Sequence, residues 1–404
     1  MTVEGQDALG IYISVPFCRS KCTYCNFASG VFAAGDHARY VERVIEDLAG
    51  ADTWAAEMGV ELPRRVDTVY LGGGTPSLLE PELVTKLFAA LHATFDVDAD
   101  AELTMECAPG LLEDATLGAM AAAGVNRVSL GVQSLVDSEA HASGRLHDRA
   151  AVVRDVERLR AAGITNINVD LIAGLAGQTL ATWEQSLDAL LELETPHASV
   201  YMLEVDEDSR LGREMLKGGA RYGAGLVAND DAIARMYERA IERLEAAGLM
   251  QYEISNFGRP GFESRHNLRY WERRPYLGVG LDASSMLRSD PTLNAKARLG
   301  WGTQSEGELA YVLRTTTTDD LKEYLAGSAK PETAWLNAER QHEEAWFLGL
   351  RTNAGVDVAK RLAGDGLLNF ECGRVRLTAR GRMVSNDVFQ EFLGLEVVEA
   401  VRRK

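Results

Sequence analysis

Short apolar runs rich in β-branched residues recur through the first 250 positions and alternate with longer stretches of helical periodicity. The short runs predict strands over 11–15, 66–71, 101–107, 127–132, 166–172 and 198–203. The periodic stretches predict helices over 36–57, 81–94, 112–123, 148–162, 182–194 and 229–247. Asp36 is placed to cap the first, and Gly124, Gly163 and Gly248 stand just past the ends of three others. Six strand–helix repeats build right-handed βαβ units on a parallel sheet. They form either an open doubly wound sheet or a barrel with some or all of its eight units. In both cases chemistry sits at the C-terminal ends of the strands.

The rhythm is lost after Tyr252. Residues 251–280 are rich in aromatics, glycine, proline and arginine without a clear period, and a separate small helical unit is expected from 317 onward. Within it, 358–362, 366–370, 374–378 and 381–392 read as helix, two short strands and helix, a winged-helix-like order.

Composition narrows the class. The 404 residues are 46% hydrophobic and 25% charged, with a formal net charge of -18. Such a chain is no general nucleic-acid binder, so the winged-helix-like unit is read as a packing or lid module. No run of about 18 apolar residues occurs, so no membrane span is expected. Residues 1–10 carry acidic side chains and no apolar core, so no signal peptide is expected. Five cysteines, three of them clustered, do not make a disulfide framework and fit a reducing cytoplasm. The isolated pair, Cys107 and Cys372, is expected to pack as small hydrophobes.

The clustered cysteines follow the first strand as Cys18-x3-Cys22-x2-Cys25. Three thiolates on one loop can converge on an iron–sulfur cluster and leave one iron open to a small molecule. A partial zinc site or three unrelated buried thiols is the alternative. Gly72-Gly73-Gly74-Thr75-Pro76 follows the second strand and lets main-chain groups approach a ligand closely. It lacks the Gly-Lys-Ser/Thr ending of a P-loop. Glu106 ends the third strand, Gln133 follows the fourth, and Asp170 lies near the end of the fifth. All five features fall on one rim.

Tyr12-x3-Pro16-Phe17-Cys18-x3-Cys22-x2-Cys25, the Gly72–Pro76 run, Gly131-Val132-Gln133-Ser134, Gly144-Arg145-Leu146-His147 and Asp170-Leu171-Ile172-x-Gly174-Leu175-x2-Gln178-Thr179 occur in this order. Together they resemble the radical S-adenosylmethionine (SAM) superfamily, in the group that contains oxygen-independent coproporphyrinogen III oxidase. The resemblance implies an α/β fold, a partial (β/α)6 barrel with a parallel sheet, plus the small C-terminal winged-helix-like domain. It implies a core over 1–255, a connecting and haem-binding segment over 256–300, and the C-terminal domain over 301–404. It implies a 4Fe–4S cluster on Cys18, Cys22 and Cys25, with SAM on the fourth iron and against Tyr12, Gly73, Gly74, Thr75, Glu106, Gln133, Arg145 and Asp170. Carboxylates suit the cationic and hydroxyl groups of SAM, and Arg145 suits its carboxylate. His147 is a candidate to orient Arg145 or a substrate.

The oxidases carry a fourth cysteine two residues after the third, where this chain has Phe27. Phe27 and the segment His266-Asn267-Leu268-Arg269-Tyr270-Trp271 are similar to the HemW branch, a family of haem chaperones. The resemblance implies haem on His266, with Tyr270 and Trp271 against the macrocycle and Arg265, Arg269, Arg273 and Arg274 near its propionates. A satisfied structural histidine beside packed aromatics is the alternative. The chain departs from the family pattern at Ser14, Ala176 and Ser284, the first and last standing at usual histidine positions. The expected function is haem binding and delivery to an apo-haemoprotein in the cytoplasm, without nucleic acid, and a homodimer is compatible with it. The competing readings are a radical enzyme (a coproporphyrinogen III dehydrogenase or a HemN-like methyltransferase) and a cluster-bearing interaction protein.

Overall fold

A computed structural model describes residues 8–33, 35–289, 311–357, 367–371, 374–383 and 385–386. Six parallel strands form its centre: β1 (Leu9–Val15), β2 (Arg65–Gly73), β3 (Asp96–Cys107), β4 (Arg127–Gln133), β5 (Asn166–Ala173) and β6 (His197–Met202). They pair in chain order. Each crossover carries helix: α1 (Gly35–Met58), α2 (Pro81–Thr94), α3 (Asp114–Ala122), then α4 (Asp137–Ala142) with α5 (Arg149–Ala161), and α6 (Leu180–Glu192). After β6 come α7 (Arg210–Leu216), a 3-10 stretch over Arg221–Leu226, and α8 (Asp230–Ala246).

Each strand puts one set of alternate side chains outward against the helices. Leu9, Ile11 and Ile13 of β1, Val69 and Leu71 of β2, Val128 and Leu130 of β4, and Val169 and Leu171 of β5 are at most 1% exposed, packed in one core with Val44 and Leu48 of α1 and Leu187 and Leu190 of α6. The other alternate set is polar and faces the barrel interior. This alternation makes a barrel wall rather than a sheet buried by helices on both faces.

Helix boundaries follow local chemistry. Asp148 caps α5 by accepting from the Ala151 N–H, Asn229 caps α8 through Ala232, and Thr179 with Thr182 forms a reciprocal cap at α6. That cap starts α6 at Leu180, two residues before the periodicity predicts. Asp36 lies inside the first turn of α1 rather than ahead of it, where a carboxylate suits the helix dipole.

The sheet does not end where the hydrophobic rhythm fails. β7 (Met250–Gln251) and β8 (Asn256–Gly258) extend it antiparallel beyond β6. Helix α9 (Arg265–Trp271) follows, and β9 (Tyr276–Val279) returns to pair parallel with β1. β10 (Ser284–Arg288), β11 (Val312–Thr316) and β12 (Glu332–Leu336) then continue antiparallel, completing twelve strands. Two helices accompany them, α10 (Leu321–Ala326) and α11 (Ala338–Gly349). A separate three-stranded antiparallel sheet joins β13 (Val356–Asp357), β14 (Leu368–Glu371) and β15 (Arg374–Leu377), followed by α12 (Ala379–Met383). The helix expected over 358–362 and Cys372 lie outside the described residues. Among the described residues no helix is long and apolar enough to cross a membrane.

Candidate functional site

The cysteine loop is fixed at its root by the glycine turn beside it. Gly74 N donates to Val15 O at 2.9 Å and Thr75 N to Phe17 O at 2.7 Å. A Cβ on Gly74 would meet those same two carbonyl oxygens at 2.7 and 2.8 Å, so only glycine lets the turn close on the loop. Gly73 has φ of 96°, the left-handed region, and supplies the reversal. Phe17 is buried against His37, Tyr40 and Phe32 and roots the loop in the core. Further along, Thr23 N donates to Ser143 O, Leu211 N donates to Thr23 O, and the Lys21 ammonium donates to the carbonyls of Phe27 and Ser29.

Cys18, Cys22 and Cys25 are all free thiols on this loop. Burial pushes the Cys18 thiol up, partly offset by hydrogen bonds from Ser29 and Thr75, with Cys25 and Cys22 close enough to add to the rise. The Arg145 guanidinium lies 3.6 Å from Cys22 Sγ and also donates to Gly131 O. Among the described residues no three His, Cys, Asp or Glu side chains are gathered tightly enough to enclose one metal ion. Three thiols with a cation beside them fit a cluster, whose net charge the guanidinium would balance.

Behind the loop Gly73 ends β2, and Glu106, Gln133 and Asp170 lie at or near the C-terminal ends of β3, β4 and β5. Tyr12 projects from β1, its ring 6.1 Å from Tyr70. Glu106 ends β3 and accepts a 2.9 Å hydrogen bond from Tyr70. Asp170 accepts from Ser129 at 3.0 Å and from Asn168 at 2.7 Å. Burial, and then Asp170, raise the Glu106 carboxyl to about 7, and burial raises Asp170 as well. Two carboxyls that resist ionising beside each other form a receptor for a cation, whose arrival relieves both burial and repulsion. Gln133 stands at φ 72°, where the β4–β5 register shifts, and its buried Oε1 has no partner. A strained backbone that holds an unsatisfied amide in a site points to a ligand donor. The donor set thus fits the sulfonium, ammonium and hydroxyl groups of SAM. His147 is buried behind Arg145, which together with burial lowers it to about 4, so it stays neutral there.

His266, Tyr270 and Trp271 lie on α9, with the His266 ring 6.5 Å from the ring of Tyr12 and 5.4 Å from that of Tyr70. Glu102 of β3 accepts from the Arg265 and His266 N–H groups, both at 3.0 Å, and caps α9 beneath the barrel. His266 is 0% exposed. One ring nitrogen hydrogen-bonds Thr68 and the other Tyr270, each at 2.9 Å. Thr68 lies six residues before Gly74, about 20 Å along the strand at ~3.3 Å per residue. Burial and the charges of Arg269 and Arg127 hold the imidazole well below its usual range.

The arginines expected near propionates are engaged elsewhere. Arg269 is fully buried; it donates to Ala8 O and Pro275 O at 2.8 Å and pairs with Asp67. Arg274 joins it on Asp67 at 2.6 Å. Arg265 donates to Asp100 O, and Arg273 pairs with Glu344. Tyr270 packs its edge on Tyr276, and Arg351 covers Trp271 at 4.5 Å. The segment thus packs into the base of the barrel, with both His266 ring nitrogens hydrogen-bonded and the buried Trp271 Nε1 without a hydrogen-bond partner.

Several polar residues of the interior are not apparent from motifs. Asn168 positions Asp170, and His197 holds Asn168 at 2.6 Å while its other nitrogen meets Tyr252 at 2.8 Å. The signal was in β5, where Asn166, Asn168 and Asp170 alternate with Ile167, Val169 and Leu171. Cys107 is 3% exposed with its thiol raised to about 12, an inert packing residue as expected.

The radical SAM superfamily model matches residues 12–190. The chain is 31% identical to the heme chaperone HemW of Lactococcus lactis subsp. lactis over 400 residues, covering 95% of this chain and 96% of that protein. It is 32% identical to HemW of Bacillus subtilis over 402 residues, covering 95% and 98%. HemW of Escherichia coli is 34% identical over 276 residues, 68% of this chain and 69% of that protein. Among solved structures, coproporphyrinogen III oxidase (HemN) of Escherichia coli superposes with a TM-score of 0.77, at 20% identity over 96% of this chain and 90% of that one. That last likeness speaks for the fold.

Proposed function

This chain belongs to the HemW family within the radical SAM superfamily, and from that premise we propose that it binds haem and delivers it to an apo-haemoprotein, with a 4Fe–4S cluster and SAM as resident cofactors. The observation that carries the reading is the end-to-end likeness to HemW proteins, which spans the barrel, the α9 segment and the C-terminal unit together. Phe27 supports it: a 64% exposed phenyl ring occupies the position of the oxidases' fourth cysteine.

Cys18, Cys22 and Cys25 hold the cluster. Glu106, Asp170, Gln133, Tyr12 and the Gly73–Thr75 turn hold SAM, and Arg145 serves both the thiolate side and the SAM carboxylate. The cluster, when bound, supplies one-electron reduction beside a sulfonium. The chain's own contribution is to fix the thiol loop on the glycine turn, to meet cationic groups with two carboxyls, and to keep His147 neutral behind Arg145. Haem ligation by His266, with Tyr270 and Trp271 beside it, is part of the proposal on one condition. The hydrogen bonds to Thr68 and Tyr270 break when haem arrives, so α9 moves. The three domains over 1–255, 256–300 and 301–404, and a cytoplasmic location, belong to the same reading.

Two assays on anaerobically reconstituted protein test it. Haem titration gives saturable binding and transfer to an apo-haemoprotein. Incubation with coproporphyrinogen III, SAM and reductant leaves the substrate unchanged; formation of protoporphyrinogen IX overturns the chaperone reading.

A further inference from the structure

Two arginines are fully buried among the described residues, Arg127 at 1% exposure and Arg269 at 0%. Arg269 pairs with Asp67. Arg127 opens β4, has no ion pair among the described residues, and its Nε meets no hydrogen-bond partner. A permanent cation buried without an anion is costly, and an anion that arrives beside it relieves that cost. A second unsatisfied group stands next to it. Strand alternation puts Glu102, Thr104 and Glu106 of β3 on the interior face, and the register sets Thr104 opposite Arg127. Thr104 is 0% exposed, and its hydroxyl has no partner either.

The pair faces the region of α9. Tyr70 lies opposite Thr104 on its other side, so Tyr70, Thr104 and Arg127 form one row across β2, β3 and β4. In the row below, Thr68 is opposite Glu102, and both hold His266. Arg127 stands two strand spacings from Tyr70, ~10 Å at ~4.8 Å per strand, and the Tyr70 ring is 5.4 Å from that of His266. Burial, and then the Arg127 charge, hold His197 well below its usual range; burial, Arg269 and Arg127 do the same to His266. The acids of the interior are engaged elsewhere. Glu102 accepts the Arg265 and His266 N–H groups, Asp170 accepts from Ser129 and Asn168, Glu106 from Tyr70, and Glu253 from Asn256 and the Ser255 N–H. None of them is paired with Arg127. A forked guanidinium donor beside a hydroxyl matches a carboxylate.

We propose that Arg127, with Thr104 beside it, anchors one propionate of a haem whose iron lies toward His266. This rests on the haem-chaperone reading and on the same movement of α9 that ligation by His266 requires. It also answers a question that the arginines around α9 leave open, since Arg269, Arg273 and Arg274 are spent on Asp67 and Glu344. The ligand feature recognised is a carboxylate held at the edge of a flat ring.

The test compares haem with haem dimethyl ester, whose propionates carry no charge, by titration at the Soret band. The proteins are reconstituted wild type, Arg127→Met and Thr104→Val, with melting temperature and cluster absorbance as checks of folding. Wild type is expected to prefer haem over the ester by about tenfold or more. Arg127→Met should bind haem about tenfold more weakly than wild type does and bind the ester equally well, so that the preference disappears. Thr104→Val should keep part of it. A folded Arg127→Met protein that retains the preference overturns the anchor. Equal weakening of both ligands also overturns it, because it makes Arg127 a structural residue, and so does a wild type that binds haem and ester alike. If Arg127→Met does not fold, Thr104→Val decides: an undiminished preference overturns the anchor and a reduced one upholds it. Wild type that binds neither ligand removes the chaperone reading itself, a result distinct from haem binding that ignores the propionates.

Discussion

Replacing Glu106 by glutamine removes one of the two carboxyls that share the barrel mouth and keeps the side chain's shape. The Glu106 carboxyl is raised from its ordinary 4.5 to about 7 by burial and by Asp170. Folding therefore favours its protonated form. The stabilisation is complete below about pH 4.5 and is lost as pH rises through 7, a total of about 3 kcal/mol at ~1.4 kcal/mol per tenfold change in proton affinity. Thermal melts of the SAM-free protein between pH 5 and 8 should show a wild-type decline of several degrees that Glu106→Gln largely removes. Asp170, raised by its own burial, leaves a residual slope in the variant. SAM reverses the sign of preference, because an ammonium or sulfonium favours the carboxylate. Calorimetric titration of cluster-loaded wild type should show affinity rising with pH through about 7, and Glu106→Gln should bind weakly with a flat pH profile. Parallel melting curves for wild type and variant across pH would refute the argument, since they would mean that the carboxyl titrates as in water.

Three substitutions test the interior below the mouth. His266→Ala removes hydrogen bonds to Thr68 and Tyr270 and a ring packed between Tyr70 and Tyr270; chemical denaturation of haem-free protein should show a loss of about 3 kcal/mol, whereas a residue serving haem alone would leave that stability unchanged. Asp67→Ala strands the fully buried Arg269 guanidinium and should cost about 3–5 kcal/mol by the same measurement; a change under 1 kcal/mol would show that the Arg269 charge is compensated by carbonyls alone. Arg127 is 1% exposed, its Nε has no partner, and no carboxylate lies within ion-pair reach among the described residues; Arg127→Met should leave the denaturation midpoint within the equivalent of ~1 kcal/mol or raise it, and a large loss would reveal an anion that the guanidinium holds.

The six parallel strands were legible because each carries an unbroken apolar outer face and each helix ends on a recognisable signal. Pro81–Thr94 matches the periodicity residue for residue, since Pro81 opens it and Phe95 turns extended. The cysteine loop, the glycine turn and Glu106, Gln133 and Asp170 are at strand ends, where a parallel barrel must put its chemistry, and motif order alone placed them on one rim. The return of the chain through α9 and β9 was not legible. β9 is four residues long and its pairing with β1 is non-local, and α9 is held by Glu102 from β3 rather than by periodicity of its own. The setting of His266 was hidden for the same reason: its partner Thr68 is 198 positions away and carries no motif.

The two ends of the barrel are joined by its polar interior. Glu106 binds Tyr70, whose ring is 5.4 Å from His266, and His266 in turn is tied to Thr68 and, through α9, to Glu102. Asp170 is tied through Asn168 to His197 and Tyr252, and Tyr252 accepts from the Ser264 N–H that leads into α9. Both carboxyls at the mouth thus stand on columns of touching side chains that end on the same helix, the Asp170 column hydrogen-bonded throughout and the Glu106 column passing through the Tyr70–His266 ring contact. A cation at the mouth converts Glu106 to its charged form, which tightens the Tyr70 hydrogen bond because a carboxylate is the stronger acceptor. Movement of α9 would loosen both columns together. Occupancy of the rim and the position of α9 are therefore coupled through side chains that touch, and by linkage the coupling runs both ways. Haem on His266 has to break the bonds to Thr68 and Tyr270 on which the first column ends. SAM affinity measured with and without haem tests this: it is weakened when His266 ligates the macrocycle, and an unchanged affinity would show that α9 stays in place.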